Sequence, residues 1–148
     1  GVHQMEEEDV VYCIAILTDQ EQEGQNCAEY IRNYCTEKKV FPLIEIYQNQ
    51  EQFFGGYENS TGSGFLALPG VSGLNAAEHL RSLYPKCGII WCSDLDFSLH
   101  AFRMRIEYFF MKPVEEQKIK EGLSIWFERR NVNDKNTQEE NNYEEKSF

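Results

Sequence analysis

Short apolar runs alternate with amphipathic stretches five times between residues 10 and 130, and this alternation constrains the fold more than any other feature. The clearest runs are VVYCIAIL at 10–17 and GIIWC at 88–92, which are nearly continuous in apolar residues. Strands that are buried on both faces of a parallel sheet have this composition. The alternation therefore predicts an α/β fold, in which right-handed crossovers place helices on both faces of a five-stranded, doubly wound parallel sheet.

The remaining strands have a weaker pattern. Residues 40–47 (VFPLIEIY) and 107–111 (EYFFM) predict strands, and Pro42 suits a strand start or an edge strand. The third strand is limited to the short run FLAL at 65–68. We expect this strand to be irregular, because the Gly/Ser-rich stretch 55–64 precedes it where an apolar run would normally stand.

Helices are predicted from apolar residues that recur at three- and four-residue intervals. This spacing favours helices over 22–37, 74–84 and 115–129. A short helix at 49–54 is predicted to have Asn49 as its N-terminal cap. Ser93 and Asp94 are expected to cap the helix after the fourth strand, whose apolar side is expected to include Leu95, Leu99 and Phe102.

Length and charge bound the organisation of the chain. The 148 residues favour one domain, and 14 Lys plus Arg against 25 Asp plus Glu give a formal charge of −11. Residues 1–9 hold four acids and no Lys or Arg, and residues 131–148 hold five acids and two lysines. We therefore predict an acidic N-terminal arm at 1–9, a folded domain at 10–130 and a disordered acidic tail or linker at 131–148. Such acidity argues against direct binding of nucleic acid by this chain.

The sequence also bears on location. It has no apolar run of membrane-spanning length, and its acidic start is unlike a signal peptide. Five cysteines without a CxxC pair argue against a disulfide framework or a zinc site. These features predict a cytoplasmic protein with reduced thiols and no membrane partner.

Ligands of parallel α/β folds bind at the carboxyl ends of the strands, which meet at one edge of the sheet. The residues predicted at this edge are Thr18, Asp19, the region 65–69, Cys92, Ser93 and Lys112. A functional site is therefore expected among them.

This ordered set resembles the response-regulator receiver domain of two-component (phosphorelay) signalling. The similarity covers roughly 10–128 and is clearest over 69–114, with a PG-x-x-G loop, an Ala-Phe helix and a strand closing in Lys112-Pro113. The details resemble the receivers that usually precede a LytTR-type DNA-binding domain, which implies a role in transcription regulation. The resemblance implies a flavodoxin-like (βα)5 receiver fold and a cis bond before Pro113.

The resemblance also implies chemistry that this sequence keeps only in part. In receivers, an Asp four residues before the Pro of the PG turn accepts a phosphoryl group, and that position here is Phe65. The acid pair that helps to hold Mg²⁺ corresponds to Thr18 and Asp19, so that Asp19 is at most a weak metal ligand. The phosphate-binding hydroxyl falls on Cys92 or Ser93, Lys112 matches the family's lysine, and Phe109 matches its switch aromatic.

From these matches we expect a degenerate receiver (pseudo-receiver) with no catalytic residue, no metal and no cofactor. It would not be an enzyme but a phosphorylation-independent module for signalling and protein interaction. The resemblance implies that a protein partner or a second copy binds the face formed by the fourth helix, fifth strand and fifth helix. This face is predicted to carry Arg103, Arg105, Tyr108 and Trp126.

Two other functions remain open at the level of sequence. One is a phosphorylatable receiver whose acceptor has moved to Glu58, Asp94 or Asp96. The other is a small flavodoxin-like ligand-binding domain or enzyme that uses Cys92 or Ser93, with Cys92 as a thiol of low pKa.

Simple structural roles compete with these functions. Lys112 could form an ion pair with Asp19, and Asp19 or Ser93 could cap a helix. Cys92 could be a buried inert thiol, and Phe109 could serve ordinary sheet packing.

Overall fold

The computed structural model describes residues 12–56 and 62–130. The predicted arm at 1–9 and the predicted tail at 131–148 lie outside these residues, as does the alternative acceptor Glu58. Within the described part of the chain, no helix is long and apolar enough to cross a membrane.

Five parallel strands form one sheet, in the order β2-β1-β3-β4-β5. Their bounds are β1 Cys13–Leu17, β2 Leu43–Tyr47, β3 Ser63–Leu66, β4 Gly88–Ser93 and β5 Tyr108–Met111. A helix follows each strand, so the predicted five-stranded α/β architecture is confirmed.

The helices are α1 Glu21–Glu37, α2 Gln50–Gly56, α3 Gly70–Leu83, α4 Ser98–Arg103 and α5 at 116–130. The predicted cap of α2 is confirmed, because the Gln52 amide donates a 2.8 Å hydrogen bond to Asn49 Oδ1. Helix α3 begins at Gly70, four residues before its predicted start at residue 74. Pro69 is the residue before this helix, and its fixed φ suits a helix entry.

Strand β3 starts at Ser63, two residues before the predicted run, and it pairs regularly with both neighbours. The predicted irregularity of this strand is therefore wrong, because Ser63 and Gly64 have the composition of a loop but occupy buried, regularly paired strand positions. A side chain at Gly64 would place its Cβ 2.7 Å from Leu80 Cδ2, so α3 approaches this strand closely and a larger residue would make Leu80 shift.

The sheet separates two hydrophobic cores. One core packs α1 and α5 against Ile14, Ile16 and Phe65, and the other packs α2, α3 and α4 against Leu17, Leu66 and Trp91. Burial on both faces explains why β1 and β4 are nearly continuous in apolar residues.

Helix α4 differs from its prediction. Leu95 precedes the helix, and Leu95, Leu99 and Phe102 are all exposed, so the predicted apolar side does not face the core. Only Ala101 of this six-residue helix is buried. The helix rests on the sheet through this small side chain, which leaves the larger apolar side chains facing outward.

Candidate functional site

The predicted site residues meet at the carboxyl edge of the sheet. Thr18 follows β1, Ser93 ends β4 and Lys112 follows β5. Backbone hydrogen bonds fix this edge, since the Thr18 amide donates to the Tyr47 carbonyl at 3.0 Å and the Lys112 amide donates to the Ser93 carbonyl at 2.9 Å. The side chains at these positions therefore have defined neighbours.

Lys112 is paired with a glutamate from α1. Its Nζ lies 3.3 Å from Glu23 Oε1, and Thr18 Oγ1 donates a 2.8 Å hydrogen bond to the same oxygen. The predicted pair of Lys112 with Asp19 is therefore wrong, and Asp19 is exposed. Glu23 lies in the first turn of α1, close enough to reach back over the sheet edge.

Thr18, rather than Asp19, makes the local contact at the start of α1. The Gln20 amide donates to Thr18 Oγ1 at 3.1 Å, and no side chain caps the helix itself. The predicted capping role of Asp19 is therefore wrong. The Thr18 hydroxyl accepts a hydrogen bond from the backbone and donates one to Glu23. A hydroxyl can accept and donate at the same time, whereas a carboxylate can only accept.

Phe65 is a core residue on β3. It pairs in register with Ile16 of β1 and Ile90 of β4, and only 1% of its surface is exposed. Its ring lies 6.3 Å from that of Phe110, centroid to centroid. A phenyl ring offers neither a nucleophile nor an oxygen ligand, so this position cannot accept a phosphoryl group.

Two thiols lie in the same core as Phe65. Cys27 of α1 and Cys92 of β4 are both buried, and burial raises the pKa of each thiol to about 12. The Lys112 ammonium lowers the pKa of Cys92, but this effect is smaller than that of burial. The alternative of a low-pKa thiol at Cys92 is therefore wrong, and the buried inert thiol describes it better.

Ser93 and Asp94 do not cap α4 as predicted. The Ser93 hydroxyl accepts from the Leu95 amide and donates to Asp94, both at 3.2 Å, whereas α4 begins only at Ser98. Asp94 instead accepts a 2.8 Å hydrogen bond from the Gly70 amide at the start of α3, which lowers the pKa of the Asp94 carboxyl. The Ser98 amide donates to Asp96 at 3.0 Å.

The aromatic residues of β5 pack on their neighbours. The Phe109 ring meets the Trp91 ring edge to face, with centroids 5.0 Å apart, and the Tyr108 hydroxyl donates to Glu121 at 2.5 Å. Burial, followed by the Glu121 carboxylate, raises the pKa of Tyr108 to about 12. The Lys112-Pro113 bond is cis, as the resemblance implied.

The predicted contact face is partly corrected. Arg103 and Arg105 are exposed, as an interface requires, and Tyr108 is half-buried. Trp126 is only 5% exposed, because its ring packs against the Gly88 backbone and the Tyr12 ring. Its prediction as an interface residue is therefore wrong.

The edge as a whole holds a Lys–Glu–Thr network above an apolar floor. Among residues 12–56 and 62–130, no three His, Cys, Asp or Glu side chains are grouped so that they could hold a metal ion. The carboxylate nearest to Lys112 is that of Glu23, and it is already engaged by two donors.

Solved structures of receiver domains share this fold. A response regulator receiver domain protein (CheY-like) from Methanospirillum hungatei JF-1 matches with a TM-score of 0.68 and 16% identity, over 83% of this chain and 98% of that one. The signal receiver domain of a DNA-binding response regulator from Colwellia psychrerythraea 34H matches with a TM-score of 0.61 and 14% identity, over 79% and 98%.

The response regulator DrrB of Thermotoga maritima, an OmpR/PhoB homolog, matches with a TM-score of 0.62 and 17% identity. That match covers 82% of this chain but only 54% of DrrB. No protein-family model and no curated protein matches the sequence. At these identities the likeness defines the fold, and the chain has the receiver fold of two-component response regulators.

Proposed function

We propose that this chain is a receiver-fold signalling module that works without phosphorylation of an aspartate. The observation that carries the proposal is Phe65, which stands four residues before Pro69 and is buried in the core of β3. An acceptor at this position would need an exposed carboxylate, and the aromatic ring supplies packing instead. The protein would thus be a degenerate receiver.

The state of Lys112 supports the same proposal. Its ammonium is engaged by Glu23, on the edge where receivers would neutralise phosphoryl oxygens. Thr18 donates to the same Glu23 oxygen, so the network satisfies its own charges and polar groups. The edge has the character of a structural ion pair rather than of an open anion site.

Output would then be constitutive, or set by partner binding or expression level, and exerted through protein contacts. The α4-β5-α5 face is the proposed contact surface for a protein partner or a second copy, with Arg103 and Arg105 at its exposed part. Cys13, Cys27, Cys35 and Cys92 are free thiols in the described part of the chain, which supports a cytoplasmic setting. A part in transcription regulation, through a LytTR-type output domain, is proposed from the resemblance.

The test is exposure of the full chain to acetyl phosphate, and separately to beryllofluoride, each with Mg²⁺. Intact mass and ¹H–¹⁵N spectra would be recorded, with the amides of Thr18, Ser93 and Lys112 as reporters. A receiver that keeps an Asp four residues before its PG proline serves as the positive control. We expect the control to respond and this chain to show neither an adduct nor a spectral change.

The alternatives predict different outcomes of this test. A covalent adduct that maps to Glu58, Asp94 or Asp96 would replace the proposal with a receiver whose acceptor has moved. Asp94 is a poor nucleophile by its contacts, because its carboxylate accepts from Gly70 and Ser93. An enzyme based on Cys92 is disfavoured by the burial and the raised pKa of that thiol.

A further inference from the structure

Helix α4 presents an exposed surface that is both apolar and basic. Phe102 is 82% exposed and Leu99 is 58% exposed, and Arg103 and Arg105 are exposed beside them. We call these four residues the α4 surface. Apolar side chains with this much exposure, next to cations, favour a partner that brings apolar groups and negative charge.

The charge of this surface is opposite to that of the chain. Between residues 97 and 106 there are His100, Arg103 and Arg105 and no acid, whereas the whole chain carries −11. A second copy that bound through the same surface by two-fold symmetry would bring these arginines toward each other. An acidic segment is therefore a better match than a second α4 surface.

The last described helix, α5, ends beside this surface. Helix α5 ends near the start of β5, since Trp126 packs against the Gly88 backbone and the Arg129 charge lowers the pKa of Glu107. Glu107 pairs with Arg81 at 2.9 Å, and Arg81 also donates to the Arg105 carbonyl at 3.1 Å. Helix α5 therefore ends, at residue 130, close to the connection between α4 and β5.

The sequence after α5 contains a segment with the negative charge and the apolar groups that would match the α4 surface. Residues 138–148 (QEENNYEEKSF) hold four glutamates, one lysine, Tyr143 and Phe148. The seven residues 131–137 that separate this segment from α5 can span up to about 23 Å when extended. This length is comparable with the width of a small domain. The tether is therefore long enough for residues 138–148 to reach the α4 surface.

We infer that residues 138–148 bind in cis to the α4 surface, with glutamates against Arg103 and Arg105 and aromatic rings against Leu99 and Phe102. The inference rests on the proposed function, because it names what covers the proposed contact face. A partner would then have to displace this segment. The segment would act as a built-in competitor whose effective concentration is set by the short tether.

The test compares two variants of the full chain that lose equal charge. In the first, Glu139, Glu140, Glu144 and Glu145 are changed to Gln. In the matched control, Glu6, Glu7 and Glu8 are changed to Gln and Asp9 to Asn. We expect the amide signals of Leu99, Phe102 and Arg103 to shift in the first variant and to stay in place in the control.

A second measurement uses a labelled peptide of residues 138–148, added in trans. If the tethered segment occupies about nine-tenths of the α4 surfaces, the peptide binds the first variant about tenfold more tightly than the wild type. The inference fails if the α4 signals do not move, if both variants move them equally, or if the shifts depend on protein concentration. A phosphoryl adduct would overturn the proposed function without altering these readouts, so the two failures are distinguishable.

Discussion

Lys112 Nζ lies 3.3 Å from Oε1 of Glu23, although the two residues are 89 positions apart in the chain. The pair joins the first turn of α1 to the end of β5 across the carboxyl edge of the sheet. About one-fifth of each side chain is exposed, with 21% for Lys112 and 19% for Glu23. Solvent partly screens such a pair, so the ion pair contributes about 1 kcal/mol or less to the free energy of unfolding.

The first prediction concerns this pair. A double-mutant cycle with Glu23→Gln and Lys112→Met, measured by urea unfolding, is expected to give a coupling of about 0.2–1 kcal/mol. The same cycle with Asp19→Asn in place of Glu23→Gln is the control, and its coupling is expected to be near zero. A larger coupling in the Asp19 cycle would mean that Lys112 pairs with Asp19 in solution.

The second prediction compares two phenylalanines at opposite extremes of burial. Phe65→Ala is expected to lower the free energy of unfolding by about 3–5 kcal/mol, because it opens a cavity in the core. Phe41→Ala removes the same atoms from a 76% exposed position and is expected to change stability by about 0.5 kcal/mol or less. Chemical denaturation of both variants checks this, and similar losses would contradict the burial of Phe65.

Much of the fold could be predicted from the sequence because strand burial leaves a direct pattern. The run at 10–17 is apolar on both faces because β1 lies between two cores, and α1 shows helical spacing because one side packs on the sheet. The start of β3 was missed because Ser63 and Gly64 have the composition of a loop. They nevertheless belong to the strand, because both pair in register with β1 and β4, which lie on either side of them.

The site was less predictable because its contacts join distant parts of the chain. The structural role considered for Lys112 was an ion pair with Asp19, whereas the actual partner is Glu23. The only signal in the sequence was the position of Glu23 in the first helical turn after Thr18. The outward face of α4 was missed for a different reason, since helical spacing of apolar residues does not reveal whether a partner covers them.

A third prediction concerns thiol reactivity. Burial and a pKa of about 12 protect Cys27 and Cys92, whereas Cys13 is only half-buried. Under native conditions at neutral pH, iodoacetamide is expected to modify Cys13 before either of the other two. Mass spectrometry of tryptic peptides over a time course checks this order. Rapid labelling of Cys92 would revive the enzyme alternative.

A fourth prediction follows from Asp94. The hydrogen bond from the Gly70 amide lowers the pKa of this carboxyl below its ordinary value of 3.8. The folded state therefore binds fewer protons, so the stabilisation is present above that value and is lost as the pH falls through the folded pKa. Acid unfolding of the wild type is expected to show a dependence on pH that Asp94→Asn reduces. A pH dependence that Asp94→Asn leaves unchanged would contradict this contribution.

A fifth prediction concerns Arg81, whose guanidinium joins the end of α3 to the chain before β4 and β5. It donates to the carbonyls of Met104, Pro85, Cys87 and Arg105 at 2.8–3.1 Å and to the Glu107 carboxylate at 2.9 Å. The side chain of Glu107 is only 9% exposed. Arg81→Met would leave this carboxylate buried without its cation, and a loss of about 3–5 kcal/mol is expected at neutral pH. Arg32→Met, at an exposed position on α1, is the control and is expected to change stability by about 0.5 kcal/mol or less.

The pH dependence of the Arg81→Met variant provides a second readout. Burial raises the pKa of Glu107 above its ordinary value of 4.5, and Arg81 opposes this rise. Without Arg81 the folded state binds a proton more readily than the unfolded state, so stability falls as the pH rises from that value through the folded pKa. The variant is therefore expected to recover part of its loss in acid, and adding Glu107→Gln should recover part of it at neutral pH. If the single variant does not fold, urea unfolding of the double variant still measures the rescue. A double variant that is no more stable than the single one would show that the unpaired Glu107 charge is not what destabilises the fold.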